Sequence, residues 1–222
     1  METPSPAIEL EKLAAAREAA LLIEPGMVVG LGSGSTVHRL IEVLAEVRPD
    51  AAFVAASPAS ERAAEANGLR VLSLDVAGRL DLSIDGADQI DLTGWLIKGG
   101  GAAQTREKIL AAAAQRFVVI ASSDKRVERL RPPVPLELVP FAVETTLAAL
   151  GDARLRAHTP RSPEGGMIAD FLGLVDDPRD LAQRLDRQPG VVEHGLFPPE
   201  LVDLVIVARG GSTEVTRFPA GG

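Results

Sequence analysis

The feature of this sequence that most constrains its fold is a repeated alternation of short apolar runs with helix-like stretches. The runs are rich in strand-favouring residues and lie at 27–31, 52–57, 70–74, 81–85, 95–98 and 117–122. Stretches of strong helix formers at 9–23, 36–47, 58–67 and 105–115 alternate with several of them. Because strand–helix alternation favours parallel pairing with right-handed crossovers, the pattern predicts an α/β fold: a Rossmann-like, mostly parallel sheet with helices on both faces.

The pattern changes at the proline-rich segment RPPVPLELVP, which begins at residue 131. Beyond it we predict, in order, strand 135–140, helix 142–150, strands 153–158 and 166–172, helix 178–188 and strand 191–196. This β-α-β-β-α-β order is typical of a ferredoxin-like α+β domain. The apolar run 203–209 and the strand-like run 213–218 then predict a return to the first sheet. We therefore expect an α/β domain over 1–130 and 201–222, with the smaller domain, 131–200, inserted before the C-terminal strands.

Composition excludes several kinds of partner and site. The chain carries 23 basic and 31 acidic residues, so nucleic acid and anionic membranes are not expected as partners, because phosphate groups select basic surfaces. The absence of cysteine excludes disulfides and thiolate chemistry. His38, His158 and His194 have no metal-ligand spacing, so no metal site is expected. Neither a membrane span nor a signal peptide is predicted, which indicates a cytoplasmic protein.

The segment VVGLGSGST, residues 28–36, joins a predicted strand to a predicted helix. Its glycines allow a tight turn with backbone N–H groups near the helix N-terminus, which suits a phosphate group bound by Ser33, Gly34, Ser35 and Thr36. A dinucleotide site is not favoured, because Ser35 occupies the position of the third fingerprint glycine. The alternative is a tight turn that Ser35 or Thr36 merely caps.

Two acids in SIDGADQID, residues 83–91, follow the next predicted buried strand. Asp85 and Asp88 flank Gly86 and Ala87 at the carboxyl edge, where open α/β sheets form ligand crevices. Two carboxylates there could hold sugar hydroxyls or transfer a proton. The alternative is an Asp-Gly turn with solvated acids, and Asp91 fits that description.

The segment LIKGGGAAQTREKIL, residues 96–110, contains a lysine, three successive glycines and a glutamate. We expect its strand to deliver Lys98 to the same sheet edge, where Gly99–Gly101 would let a ligand approach the backbone closely. Thr105 would cap the following helix, whose first turn holds Glu107 as a base, with Lys98 stabilising a developing oxyanion. The alternative is that Glu107 only interacts favourably with the positive end of the helix dipole and has no catalytic role.

Lys125 ends a further strand in ASSDK, residues 121–125, and is one of only four lysines beside 19 arginines. Either lysine is present at these positions because the planar guanidinium of arginine could not take its role, or the four positions have no functional significance. Together, the four strand ends suit a small phosphorylated polyhydroxy substrate, with a base and a cation for proton transfer beside a carbonyl.

Five motifs carry a resemblance to a known family: GLGSGST, DGAD, KGGGAAQTREKI, VPLELVPF and GVVEHGLF, in this order. From about residue 9 to 209 the chain resembles ribose-5-phosphate isomerase type A. The resemblance implies reversible interconversion of ribose 5-phosphate and ribulose 5-phosphate in the non-oxidative pentose phosphate pathway. It further implies an enediolate intermediate, no metal or cofactor, and a homodimer or homotetramer.

The resemblance also implies a role for each matching residue. Glu107 would be the base that moves a proton between C2 and C1, and Lys98 would stabilise the enediolate oxygen. Asp85 and Asp88 would handle ring opening and hydroxyl groups. The implied substrate contacts are Ser33, Gly34, Ser35, Thr36, Gly86, Ala87, Gly99, Gly100, Gly101, Lys125 and Lys12.

Three segments depart from the family pattern: Gln89 replaces a glutamate, AASPASER (55–62) replaces a more hydroxyl-rich stretch, and RSPEGG (161–166) replaces a polar turn that we expect to lie far from the chemistry. Two other functions stay open. One is a sugar-phosphate-binding sensor module of the same fold, and the other is a different enzyme on this scaffold, such as an aminosugar-phosphate deaminase or a CoA transferase.

Overall fold

The computed structural model describes residues 5–218. Its helices are α1 (Pro6–Ala20), α2 (Ser35–Val47), α3 (Pro58–Ala66), α4 (Leu74–Ala77), α5 (Gln104–Ala113), α6 (Val143–Leu150) and α7 (Pro178–Asp186). Its strands are β1 (Val28–Leu31), β2 (Ala52–Ala55), β3 (Leu82–Asp85), β4 (Gln89–Ile90), β5 (Leu96–Ile97), β6 (Phe117–Ser122), β7 (Val134–Leu138), β8 (Ala153–Leu155), β9 (Met167–Phe171), β10 (Val191–His194), β11 (Leu196–Phe197), β12 (Leu204–Arg209) and β13 (Ser212–Arg217). Within 5–218, no helix combines the length and the apolar character that crossing a bilayer requires.

The chain forms two compact units. Among the described residues, the first unit comprises 5–87, 106–125 and 200–218, and the second comprises Asp88–Thr105 and Arg126–Pro199. The chain therefore leaves the first unit after Ala87 and returns to it at Arg106. The segment Asp88–Thr105, which the predicted boundaries assign to the first domain, belongs to the second unit.

The first unit is built on a six-stranded sheet in the order β13-β12-β6-β3-β1-β2. Strands β2, β1, β3, β6 and β12 are parallel, and β13 adds to β12 as an antiparallel edge. This confirms the predicted parallel sheet and the predicted return of the C-terminal strands to it. Strand β1 lies between β2 and β3, so the crossover from β1 to β2 runs in one direction and the crossover from β2 to β3 runs back past β1 in the other. Such a reversal of strand order opens a crevice at the carboxyl ends of β1 and β3.

Helices cover both faces of this sheet, as predicted. Side chains alternate between the two faces of a strand. On β1, Val29 and Leu31 pack in a buried cluster with residues of α1 and α2, whereas Val28 packs in another with Leu110 of α5. Alanines at Ala15, Ala16 and Ala19 let α1 lie close within the first cluster.

The second unit contains the predicted β-α-β-β-α-β order, with an antiparallel sheet in the order β10-β7-β9-β8. Asp177 caps the N-terminus of helix α7, because its carboxylate accepts the backbone N–H groups of Arg179 and Asp180. It presents Leu181 and Leu185 to a core that also holds Leu136 and Phe171 of the sheet. The ferredoxin-like arrangement is therefore confirmed.

The predicted strand at 70–74 is wrong. Only Val71 pairs, through an isolated bridge to Phe53, and Leu74 already begins the short helix α4. The hydroxyl of Ser73 accepts the N–H of Val76 and caps that helix. A side chain that satisfies helical N–H groups favours the turn over a further strand.

The predicted place of the strand at 95–98 is also wrong. Strand β5 does not join the parallel sheet. It pairs antiparallel with β4 and β11 in a separate three-stranded sheet of the second unit. The reason is the tight connection from β4, in which Asp91 accepts N–H groups from Thr93 and Trp95 and folds the chain back. Asp91 is thus a turn residue, as its sequence indicated.

Candidate active site

The loop after β1 packs directly against the end of β3 in the first unit. The carboxylate of Asp85, which is 1% exposed, accepts the backbone N–H groups of Ser33 at 3.1 Å and Gly86 at 2.7 Å. A Cβ on Gly32 would overlap this carboxylate, so only glycine permits the approach. The two sequence motifs, GLGSGST and DGAD, therefore meet at the reversal of strand order.

Helix α2 begins at Ser35 without a capping side chain. Its N-cap is Gly34, whose φ of 88° is accessible mainly to glycine, and no side-chain oxygen accepts the first N–H groups. The alternative of a turn capped by Ser35 or Thr36 is therefore wrong. Uncapped N–H groups at the positive end of a helix dipole form a favourable place for a phosphate.

Ser60, from the segment that departs from the family pattern, supports this loop. Its buried hydroxyl donates to the carbonyl of Gly32 at 2.7 Å. Ser57 caps α3 through the N–H of Ser60 at 3.0 Å and so fixes the start of that helix. The segment 55–62 thus supports the loop after β1 through a hydrogen bond to its backbone.

Glu107 lies in the first turn of α5 and is 3% exposed. One carboxylate oxygen, Oε1, accepts a short hydrogen bond from the hydroxyl of Ser33. The backbone N–H of the same serine donates to Asp85. Ser33 therefore joins the two acids, and the structure brings together Ser33, Asp85 and Glu107 as expected for one site.

Lys98 follows β5 in the second unit and is 2% exposed. Its N–H donates to the carbonyl of Gly195 at 2.9 Å, and its Nζ lies 5.3 Å from the ring centre of Phe197. A desolvated ammonium over an aromatic face is stabilised by the negative charge of the ring. Gly195 therefore fixes the backbone of this lysine, and Phe197 of β11 its head group. Because β5 lies outside the parallel sheet, Lys98 does not end a strand of that sheet, contrary to the prediction.

The glycines after Lys98 form a turn that side chains would obstruct. Gly99 has a φ of 103°, and a Cβ on it would lie 2.9 Å from the Oε1 of Gln104 and from the Cβ of Pro135. The N–H of Gly100 donates to the exposed Asp88 at 2.8 Å. Asp88 is thus placed beside the glycine segment of its own unit.

Two lysines predicted to contact the substrate are engaged by neighbouring acids. The Nζ of Lys12 lies 2.7 Å from Glu9, and hydrogen bonds first from Lys12 and then from Arg39 hold the pKa of Glu9 below its usual range. The Nζ of Lys125 lies 3.2 Å from Asp124 in a 3-10 turn after β6. Each ammonium therefore lies against a carboxylate close to it in the sequence.

Thr105 does not cap α5, contrary to the prediction, because the helix already begins at Gln104. Its hydroxyl instead donates to Glu137 of β7, which is 1% exposed. Glu137 also accepts from the hydroxyl of Ser162 in RSPEGG, and a Cβ on Gly166 would overlap its side chain. The departing turn is therefore bonded to the same buried carboxylate as Thr105, within the second unit.

Gln89 shows what an amide does in place of the family's carboxylate. Its Nε2 donates to the carbonyl of Arg131 at 2.8 Å, and its Oε1 accepts the N–H of the same residue at 2.8 Å. A carboxylate could make only the second bond, because it has no proton to donate. The substitution therefore fastens β4 to the segment around Arg131 within the second unit.

Asp186, Glu193 and His194 form the group of metal-ligand side chains found within residues 5–218. The Nδ1 of His194 accepts the N–H of Leu196 at 3.2 Å, and its Nε2 lies 3.0 Å from Asp186. With Nδ1 as acceptor, Nε2 carries the proton and donates to the aspartate. This histidine therefore offers no lone pair to a metal in the arrangement observed.

The comparisons with known proteins agree with one another. The model of the ribose 5-phosphate isomerase A (phosphoriboisomerase A) family matches residues 52–211. Ribose-5-phosphate isomerase A of Roseobacter denitrificans is 41% identical over 96% of this chain and 89% of its own length. The protein of the same name from Methanosarcina acetivorans is 43% identical over 84% of this chain and 86% of its own.

Solved structures give the same result. Ribose 5-phosphate isomerase A of Methanocaldococcus jannaschii has a TM-score of 0.88 at 33% identity, covering 94% of this chain and 99% of its own. A D-ribose-5-phosphate isomerase in complex with phospho-erythronic acid has a TM-score of 0.89 at 34% identity, covering 95% of this chain and 99% of its own.

The chain is an α/β protein whose parallel sheet has acidic side chains and a glycine loop at the reversal of strand order. Proteins of this class bind ligands at the carboxyl edge of the sheet. The family match and the relatives narrow that class to an isomerase enzyme. The chain belongs to the ribose 5-phosphate isomerase A family.

Proposed function

We propose that this enzyme interconverts D-ribose 5-phosphate and D-ribulose 5-phosphate through an enediolate, in the non-oxidative pentose phosphate pathway. The observation that carries the proposal is the cluster of Ser33, Asp85 and Glu107 at the carboxyl edge of the parallel sheet. A carboxylate whose direction is fixed by a hydroxyl is suited to act as a base on a neighbouring carbon. The similar isomerase solved in complex with phospho-erythronic acid supports a phosphorylated, sugar-acid-like ligand.

In the proposed reaction, Asp85 and Asp88 assist opening of the sugar ring. Glu107 then takes the proton from C2 of the open-chain aldose, and the C–H electrons form the C1–C2 double bond while the carbonyl electrons move to O1. Lys98 stabilises the resulting negative oxygen, which is worth several kcal/mol in a water-poor site. Glu107 returns its proton to C1, the hydroxyl proton on O2 moves to O1, and the ketose carbonyl forms at C2.

The phosphate group is assigned to the loop after β1. The uncapped N-terminus of α2, with Ser35 and Thr36 in its first turn, supports this assignment. The remaining contacts are proposed for Gly86, Ala87, Gly99–Gly101, Lys125 and Lys12. Each ammonium has three N–H donors, so Lys12 and Lys125 can bind a phosphate and keep the acid with which each now pairs.

The direct test is incubation of the purified protein with ribose 5-phosphate, followed by a ketose assay, with and without EDTA. We expect turnover that EDTA does not change, because the proposed chemistry uses only side chains. Unphosphorylated ribose is the matched control, and its conversion should be slower by ~10²-fold or more in kcat/KM, because the phosphate contacts are lost. Tight binding of ribose 5-phosphate without turnover would instead favour the sensor alternative.

We also propose a cytoplasmic location and a homodimeric or homotetrameric assembly, as the resemblance to the family implies. Light scattering on the purified protein tests the assembly, with a monomeric mass as the result that contradicts it.

A further inference from the structure

Both backbone polar groups of Gly100 are hydrogen-bonded within the second unit. The N–H of Gly100 donates to Asp88 at 2.8 Å, and the carbonyl of Gly100 accepts from the Nη1 of Arg156 at 3.1 Å. The same Nη1 lies 3.2 Å from the carbonyl of Gly99, which also accepts the N–H of Ala102 at 3.0 Å. Arg156 therefore sets the direction of two consecutive carbonyl groups directly after Lys98.

Arg156 is itself fixed by a carboxylate. Its Nε donates to one oxygen of Asp170 at 2.9 Å, and its Nη2 lies 2.5 Å from the other. The two side chains are only 20% and 18% exposed, so solvent screens this pair less than a surface ion pair. The planar fork of arginine thus uses one edge for the carboxylate and its remaining nitrogen for the glycine carbonyls.

The segment that Arg156 holds has little stiffness of its own. Three successive glycines, Gly99–Gly101, provide no side chains to pack, and glycine has the largest conformational freedom of any residue. Lys98 is fixed on its strand side by Gly195 and Phe197. On its other side, the direction of the chain depends on the contacts of Gly99 and Gly100.

We propose that Arg156, oriented by Asp170, is a positioning residue that holds the glycine segment in the conformation needed for turnover. This inference rests on the proposed function, in which Lys98 and Gly99–Gly101 contact the substrate. Arg156 does not touch the reacting atoms in this proposal. It acts by keeping the carbonyls of Gly99 and Gly100 turned toward itself, so that the substrate meets one fixed backbone.

The test compares Arg156→Lys with the matched control Arg154→Lys. Arg154 lies on the short strand β8, two residues before Arg156, and is exposed. A lysine at 156 keeps the charge but cannot bind Asp170 with two nitrogens and also reach both carbonyls. We expect Arg156→Lys to lower kcat for ribose 5-phosphate by about 10- to 100-fold with a smaller change in KM, because slight misplacement of a catalytic segment costs rate. Arg154→Lys should match the unmodified protein.

Hydrogen exchange provides a second measurement that needs no substrate. In Arg156→Lys, amides in a peptide covering 97–103 should exchange at least several-fold faster, while the peptides of β7 and β9 keep their protection. Asp170→Asn, which keeps the shape of the carboxylate, should show the same local change to a smaller extent. It is also the variant to use if Arg156→Lys does not fold.

Each outcome separates this inference from the proposed function. No turnover by the unmodified protein defeats the proposed function, whereas the exchange experiment still decides whether Arg156 holds the glycine segment. If the unmodified protein turns over and Arg156→Lys has the same kcat and the same exchange at 97–103, the positioning role is wrong. Loss of protection spread evenly through the second unit would also overturn it, because the ion pair would then be a general structural contact.

Discussion

At the scale of single residues, the proposed chemistry depends most directly on the carboxylate of Glu107. Replacement by glutamine keeps the size of the side chain and its ability to bond Ser33 but removes the base. We expect Glu107→Gln to lower kcat by ~10³-fold or more with little change in KM, because proton abstraction from carbon fails while substrate contacts remain. Steady-state ketose formation measures both constants.

Glu61→Gln is the matched control for this substitution. Glu61 is also an acid in the first turn of a helix, α3, but it is exposed. If Glu107 served only the helix dipole, the two variants would have similar turnover. A kcat for Glu107→Gln within a few-fold of the control would exclude Glu107 as the base.

The second residue-scale prediction concerns Lys98. Its ammonium lies over Phe197 and the residue is 2% exposed, so there is little room for a broader head group. We expect Lys98→Arg to lose nearly as much turnover as Lys98→Met, at least ~10²-fold, because the planar fork cannot occupy the position of a compact ammonium. Kinetics of the two variants, side by side, measure this.

Retention of most of the rate by Lys98→Arg would contradict that prediction. It would also remove the argument that a chain with 19 arginines keeps a lysine here for a physical reason. Positive charge alone would then be the requirement at this position.

At the scale of elements, the short strands β5 and β11 depend on a close approach at Gly195. A Cβ there would overlap the carbonyl oxygen of Lys98, which is a backbone atom and cannot move aside cheaply. We expect Gly195→Ala to lower the free energy of unfolding by about 1–3 kcal/mol and to reduce turnover, because the backbone that carries Lys98 shifts. Urea denaturation and the ketose assay measure the two effects.

Gly211→Ala is the control for this substitution, since a Cβ at Gly211 would meet nothing within 4 Å. Its free energy of unfolding should stay within about 0.5 kcal/mol of the unmodified value. Equal free energies of unfolding for the two variants would contradict the prediction. They would mean that β5 and β11 can move apart without loss of stability.

Periodicity in the sequence was sufficient to predict long elements but not short ones. The five parallel strands and the ferredoxin-like order were predictable because each element has enough residues to show its period. Strand β5 has two residues in its ladder, and its sheet is decided by Asp91 turning the chain and by β11, about one hundred residues later. Membership of a sheet is a tertiary property that local pattern does not contain.

The same distinction applies to the candidate site. Ser33, Asp85 and Glu107 were predictable because each lies in a local motif at an element end, where side chains are available for chemistry. Arg156 and Asp170 were not, since β8 and β9 bring them to the glycine segment from more than fifty residues away. In the sequence they are one ordinary arginine among nineteen and one aspartate within a strand.

At the scale of the whole molecule, the insertion of the second unit requires the chain ends to build the first unit together. Helix α1 and strand β12, from opposite ends of the sequence, meet through the buried Glu11. Its two carboxylate oxygens accept the N–H of Ser123 at 2.8 Å and the N–H of Gly210, 199 residues away, at 2.9 Å. One side chain thus fastens α1 to the ends of two parallel strands, β6 and β12.

This contact makes stability depend on pH in a defined direction. Burial by itself raises the pKa of Glu11, but the hydrogen bonds from Gly210 and Ser123 outweigh it and hold the pKa below its usual range. A carboxylate with a lowered pKa stabilises the folded state above its unfolded pKa, roughly 4.3 for glutamate. That contribution is lost as the pH falls through the lower pKa of the folded state.

Glu11→Gln tests this dependence, because its amide can accept only one of the two N–H groups and opposes the other with a donor. We expect the variant to lose about 1–3 kcal/mol of unfolding free energy at neutral pH, and the difference from the unmodified protein to shrink below roughly pH 4.3. Urea denaturation across this range measures it, with the exposed Glu46→Gln of α2 as the control. A difference that stays constant down to the acid limit would show that Glu11 stabilises by packing alone, since protonation would then remove nothing.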